Sequence, residues 1–408
     1  MKKRISTLYI SYDGMLEPLG QSQVYQYLAK LALDSALDIT LISYEKPLDW
    51  ANSKLRNAIQ DKMKSANIHW IPLTYHKRPS AIATAFDIFH GFAVAGSLQM
   101  KGLATGKPFR LVHARSYVAS VIALMLLKIF KIPYIFDMRG FWPDERVDAG
   151  LWSKTSSIYK IAKNFERRFL LSANTVVSLT QTAVDEMKTF PYLAQEKTRF
   201  VVIPTCANLN LFRPKGDGSH PFTIGYVGTV GVWYEFGDVV ECFKLILDEK
   251  PECRFLIINR GEHDFIWEKL KAAGIPQERV EIKSVDHTQV PFEMSRMNGT
   301  VFFIKPSYSK KASAPTKLGE FLGCGIPVLA NSGVGDMDYI IEPEKVGVLL
   351  RSKDHAAKKK AVQELLPLCD DAQQRDRCVT AAHRLFSLET GSHRYREVYQ
   401  SIIQGSSP

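Results

Sequence analysis

Residues 301–330 read VFFIKPSYSKKASAPTKLGEFLGCGIPVLA, and the fold is decided here. An apolar run, Val301–Ile304, predicts a strand that is followed by a polar loop. A helix is predicted over 315–324 and a second apolar strand over Pro327–Ala330. Pro315 suits a first helical turn, where its missing N–H costs little, and Ser313 is the candidate cap. The free amides of such a helix start, at Thr316 and Lys317, together with the Lys317 charge, suit a phosphate. Glu320 lies more than one turn further in, where a carboxylate can accept hydrogen bonds from two neighbouring hydroxyls.

The same grammar runs outward in both directions. Short apolar runs alternate with helical patterns along the whole chain, as in an α/β fold with parallel sheets covered by helices. In the first half, strands are predicted at 5–10, 39–43, 68–72, 110–112, 134–136, 175–178 and 200–203. The run Arg213-Pro214-Lys215-Gly216-Asp217-Gly218-Ser219-His220-Pro221 reads as a linker, after which the pattern restarts at 223–227. The expected architecture is two doubly wound, Rossmann-like domains facing each other across a cleft, with ligands at the strand ends. The boundaries predicted are 1–214 plus a closing helix over 392–408, starting after a break at Gly391, for one domain, and 215–391 for the other. There is no short internal repeat.

The 408 residues carry a net charge of +11, with 46% hydrophobic and 23% charged residues, which is the composition of a packed protein. The excess is one-sided: residues 1–214 hold 28 Lys+Arg against 16 Asp+Glu, and the remainder is nearly balanced. An acidic partner is therefore expected for the first half only. The six cysteines form no CxxC pair, so no metal site is expected and a reduced, cytoplasmic setting is the simplest reading. The apolar stretch after Met1 breaks at Asp13, too soon for a signal peptide. The most apolar segment, Tyr117–Leu127, is about half the roughly 20 residues of a spanning helix. A soluble or peripheral protein is expected. On the helix predicted over 153–172, Lys160, Lys163 and Arg167 form a basic face opposite an apolar one. No recognition strand, zinc or helix-turn-helix signature supports nucleic acid as the partner.

Three further loops follow predicted strands. Gly228 and Thr229 lie in the GxxGxxG run 225–231, where a ligand can approach the backbone. Gly20, Gln21 and Ser22 close the long loop that begins at Tyr12, and Gly20 is expected to open a helix and offer its amides to an anion. His113, Arg115, Asp137 and Arg139 sit just after two consecutive strands, as the rim of an active site does.

The stretches SYDGMLEPLGQSQV, VIPTCANLNLFRP, IGYVGTVGVWYEF and SAPTKLGEFLGCGIPVLAN resemble the GT-B-fold glycosyltransferases of family 4, retaining enzymes that use nucleotide sugars. The resemblance covers nearly the whole chain. It implies sugar transfer from a nucleotide-diphosphate donor to a glycan or lipid-linked acceptor, with retention and without metal or other cofactor, as in bacterial surface polysaccharide or glycoconjugate synthesis. It implies donor contacts at Glu320, Lys317, Thr316, Gly228 and Thr229. Asp137, Arg139 and His113 are the catalytic candidates. Two departures stand out. The first acidic residue of the family's pair falls at Ala312, and the first donor-side loop has no basic residue, so Lys317, Arg139 or Arg260 is left to supply the charge. An anionic membrane reached through the basic first domain, at the inner face of the membrane, would account for the charge excess. A sugar-nucleotide epimerase and a non-catalytic partner subunit are the alternatives.

Overall fold

The computed structural model describes residues 4–33, 37–78, 80–215 and 220–405. The chain divides into two units, Met1–Ile203 with Gly391–Pro408, and Pro204–Thr390. The division falls before the expected linker. Ala207 N donates to Phe386 O at 2.9 Å, and Leu209 and Phe212 pack into the core of the second unit, so 204–214 belongs there. Of that linker, residues 216–219 lie outside the described residues.

The first unit is built on seven parallel strands: β1 (Ile5–Ser11), β2 (Leu37–Glu45), β3 (Ile68–Thr74), β4 (Leu111–Arg115), β5 (Tyr134–Asp137), β6 (Thr175–Ser178) and β7 (Phe200–Val202). Their order is β3-β2-β1-β4-β5-β6-β7. The central strands are buried on both faces, which is why they read as continuous apolar runs without alternation. The order reverses between β1 and β4. Loops leaving the C-terminal ends of those two strands diverge, and a binding crevice belongs there. Three helices matter below: α1 (Ser80–Ala104), α2 (Ser116–Phe130) and α3 (Ser157–Ser172).

The second unit has six parallel strands: β8 (Thr223–Val227), β9 (Arg254–Ile258), β10 (Val280–Lys283), β11 (Gly299–Phe302), β12 (Val328–Asn331) and β13 (Gly347–Leu350). Their order is β10-β9-β8-β11-β12-β13, so its reversal lies between β8 and β11. Between β11 and β12 runs α4 (Thr316–Gly323), and α5 (Ala372–Phe386) packs on it. Gly319 makes that contact possible, because a Cβ there would sit 2.9 Å from Phe386 Cβ.

A closing helix, α6 (Leu388–Gly405), returns to the first unit. It runs straight through Gly391; the break lies instead at Ser387, whose hydroxyl caps the new helix by accepting from Thr390 N at 3.1 Å.

Candidate active site

In the second unit, the loops after β8 and β11 meet. Gly228 leaves β8 at a φ of 115°, a conformation open to glycine, and its N–H bonds Ile258 O at 2.9 Å. Asn259 and Glu262 clamp the loop. Asn259 Nδ2 donates to Gly228 O at 2.9 Å and to Glu262 Oε2 at 2.7 Å, and Val230 N donates to the same carboxylate at 3.1 Å. Thr229 is exposed, with its carbonyl accepting from the Tyr226 hydroxyl at 2.5 Å.

Across from this loop, α4 starts at Thr316 behind Pro315, with no side chain capping its first amides. Ser313, the expected cap, does not serve. Lys317 runs from this first turn into the Gly228 loop. Its Nζ lies 3.1 Å from where a Gly228 Cβ would stand. Three rings surround the amine, with centroids at 3.9 Å (Tyr234), 5.0 Å (Tyr226) and 5.5 Å (Phe302). Although the stem is partly exposed, Nζ itself is buried and has no hydrogen-bond partner. Burial drives its pKa down to about 7 against the pull of Glu320. Glu320, one turn on, is driven up to about 7 by burial, against the opposing effect of Lys317. His287 Nε2 lies 4.0 Å from Glu320 Oε1, and burial and Arg260 keep that imidazole below its ordinary value. Arg260 itself is exposed and donates to Val285 O at 3.2 Å. Within the second unit, Lys317 reaches the glycine loop.

The first unit offers a different picture at its own reversal point. Asp137, at the end of β5, is buried, and so is His113 on β4. Tyr395 donates to Asp137 Oδ2 at 3.1 Å, and His113 Nε2 lies 3.4 Å from the same oxygen. The other imidazole nitrogen, Nδ1, is 2.7 Å from the Tyr399 hydroxyl. Since a carboxylate only accepts, Nε2 carries the proton and Nδ1 accepts from Tyr399. Burial keeps His113 below its ordinary pKa despite Asp137. Burial alone would raise Asp137, but Arg139, His113 and Arg115 together hold it at about 2. Both tyrosines come from α6. Through these bonds His113 and Asp137 Oδ2 fasten the closing helix to β4 and β5, while Asp137 Oδ1 is buried without a hydrogen-bond partner. Arg139 stands at this edge with a φ of 60°, its guanidinium 3.8 Å from Asp137 Oδ1. Arg115 reaches outward to Asp13 at 3.1 Å.

The loop after β1 is also rearranged relative to expectation. Its helix opens at Pro18, not Gly20, and then widens into a π turn over Gln21–Tyr25. The backbone amides of Met15 and Leu16 donate to the Glu45 carboxylate at 2.8 and 3.0 Å. The protein thus supplies its own anion to this loop. Ser22 is bonded back to Pro18 O at 2.9 Å, and Gln21 lies in the π turn. Gly20 is buried because the chain crosses itself here: a Cβ would lie 2.0 Å from Gly14 O. Gly20→Ala should destabilise the first unit by about 2–3 kcal/mol, read as a lowered denaturation midpoint. An unchanged midpoint would show that the loop yields.

One group escaped the sequence reading. Asp87, buried on α1, accepts from Tyr12 Oη at 2.8 Å and from His76 N at 3.1 Å, and it lies 2.6 Å from His76 Nδ1. His76 follows β3, and its ring is partly exposed. No local spacing links residues 12, 76 and 87; only the order of β1, β2 and β3 brings them together.

Known proteins agree with this architecture. The profile described as "Glycosyl transferases group 1" matches residues 210–384, and "Glycosyl transferase 4-like domain" matches residues 21–206. No curated protein sequence matches the chain. Among solved structures, sucrose-phosphate synthase from Thermosynechococcus elongatus superposes with a TM-score of 0.68 at 16% identity, covering 99% of this chain and 100% of that one. Anabaena Alr3699/HepE in complex with UDP-glucose gives 0.63 at 15% identity, over 98% and 100% of the two chains. The lipopolysaccharide outer core galactosyltransferase WaaB gives 0.65 at 11%, over 97% and 99%. At these identities the likenesses speak for the fold. The two profile matches together span most of the sequence, and with the two Rossmann-like sheets they make this chain a member of the GT-B glycosyltransferases of the family 4 type.

Proposed function

We propose that this glycosyltransferase moves a sugar from a nucleoside diphosphate donor, bound by the second unit, to a glycan or lipid-linked acceptor, with retention at the anomeric carbon. The reaction belongs to surface polysaccharide or glycoconjugate synthesis at the inner face of a bacterial membrane. The observation that carries the reading is Lys317. A buried ammonium with no hydrogen-bond partner, against a glycine turn and beside an uncapped helix start, lacks an anion. A donor diphosphate supplies one. Glu320, ionised, accepts hydrogen bonds from a pair of ribose hydroxyls. A UDP-glucose complex of the Anabaena relative supports this class of donor.

The chemistry asks chiefly for stabilisation of the departing diphosphate. As the bond from the anomeric carbon to the diphosphate oxygen breaks, Lys317 and the Thr316 and Lys317 amides meet the charge that grows there. The acceptor oxygen bonds the anomeric carbon on the same face, and its proton passes to the leaving phosphate oxygen. No protein nucleophile is used. Arg139, on the first unit, remains available to an acceptor's negative charge.

Calorimetry against a panel of nucleoside diphosphate sugars tests the assignment. The best binder should bind Glu320→Ala at least ~30-fold more weakly, about 2 kcal/mol. Near-normal affinity in that variant would sink the reading. Proton NMR of the product from an α-linked donor reads retention as an α-linkage.

A further inference from the structure

The outer face of α1 is unlike that of an ordinary domain helix. Its inward positions are small or polar: Ala83, Asp87, Gly91, Ala95 and Gln99 are buried, spaced by four residues. Gly91 is required there, because a Cβ would lie 2.0 Å from the Tyr44 hydroxyl, which itself bonds Asp87 O at 2.7 Å. Five large apolar side chains point the other way. Ile82, Phe86, Phe89, Met100 and Leu103 are 70, 55, 67, 58 and 53% exposed. By length and composition the segment Ala81–Ala104 suffices to cross a membrane, yet its inner face is committed to the domain. It can lie on a bilayer and not through it.

Charge decides the occupant. Between Asp61 and Asp137 the sequence contains one acidic residue, Asp87, and that one is buried and bonded. The same stretch holds ten Lys and Arg. Exposed Lys77 and Arg78 precede the helix, and Lys101, Lys107 and Arg110 lie at its other end. Exposed Lys128, Ile129 and Lys131 end α2, whose Phe130 comes within 4 Å of where a Gly96 Cβ would stand. An apolar stripe bracketed by cations and free of anions matches a surface that is apolar inside and anionic at its rim. The expected alternative face, on α3, is weaker: Lys163 there is bonded to Asp144 at 3.0 Å and paired with Glu166.

We propose that α1 is a membrane-docking surface that lays the first unit on an anionic bilayer, with Ile82, Phe86, Phe89, Met100 and Leu103 entering the headgroup boundary. The proposal rests on the membrane placement in the proposed function and names the surface that achieves it; the sugar-transfer chemistry does not depend on it.

Co-sedimentation of the full chain with vesicles of phosphatidylcholine, with and without 30% phosphatidylglycerol, tests it. The protein should partition onto the anionic vesicles at low salt and release at high salt. Phe86→Ser with Phe89→Ser should lower the partition coefficient at least tenfold, while Ile158→Ser with Ile161→Ser, exposed on α3, leaves it unchanged. Equal binding to neutral and anionic vesicles overturns the proposal, as does a Phe86/Phe89 variant that binds like the parent. So does sedimentation showing a dimer that the same variant dissolves, since a second copy then covers the stripe. Nucleoside diphosphate sugar binding, measured on the same variants, should stay at the parent's level. Its absence in every protein, with docking intact, counts against the sugar-transfer reading alone.

Discussion

Lys317→Met should weaken binding of the nucleoside diphosphate sugar roughly 100-fold, about 2.7 kcal/mol, while raising the melting temperature of the unliganded protein. Both effects come from one arrangement. The amine sits among Tyr226, Tyr234 and Phe302 with no hydrogen-bond partner. Methionine fills that space without a charge to desolvate, so the empty protein gains stability and the ligand loses its cation. The pH dependence follows. Unfolded, the amine keeps its proton up to about 10.5; folded, only to about 7. Between those values unfolding takes up a proton, so the parent's stability falls as pH drops toward 7. The Met variant loses that slope.

Ligand binding carries the same signature in reverse. At pH 8 the free amine is mostly neutral, and a bound diphosphate recharges it, so binding takes up a proton. At pH 6 Glu320, whose pKa is also near 7, is mostly protonated. Its ionisation on meeting ribose hydroxyls then releases one. Calorimetry in buffers of different ionisation enthalpy should show uptake at pH 8 and release at pH 6, with Lys317→Met removing the first and Glu320→Gln the second. Binding enthalpies that are the same in every buffer at both pH values would contradict this account of the site.

Asp137→Ala should cost the first unit about 3–5 kcal/mol. The substitution leaves Arg115 and Arg139 at a buried edge without the carboxylate they share, 3.8 Å from each, and it frees the Tyr395 hydroxyl. Because Tyr395 belongs to α6, proteolysis within Leu388–Gly405 should accelerate along with the loss of stability. The parent's Asp137 is held at about 2 from an ordinary 3.8, so its stabilisation is complete above about pH 4 and disappears as pH falls through 2. A variant that folds with the parent's midpoint yet fails in turnover would show that Asp137 serves the substrate instead.

How much of this was legible in the sequence differs from residue to residue. Thr175–Ser178 and Thr223–Val227 are strands at the predicted limits, because their apolar β-branched runs have few local alternatives. The placement of Lys317 and Glu320 was legible too, since they stand three positions apart on a helix and a proline marks its start. His113 and Asp137 were readable as a cluster, but not their bonds to α6. Their partners, Tyr395 and Tyr399, lie more than 250 residues away along the chain. Glu45 at the amides of Met15 and Leu16, and Asp87 under Tyr12 and His76, were hidden for the same reason.

The sequence by itself therefore determined the two parallel sheets and the helix that bears Lys317 and Glu320, because periodicity and helix-start chemistry act over a few residues. Tertiary structure alone decided which charges are satisfied and which are left waiting. It closed Asp137 under α6, kept the Lys317 amine without an anion, and left large side chains of α1 exposed while seating Gly91 against Tyr44 of β2. Those outcomes depend on which distant element arrives at each strand end, and no local spacing encodes that.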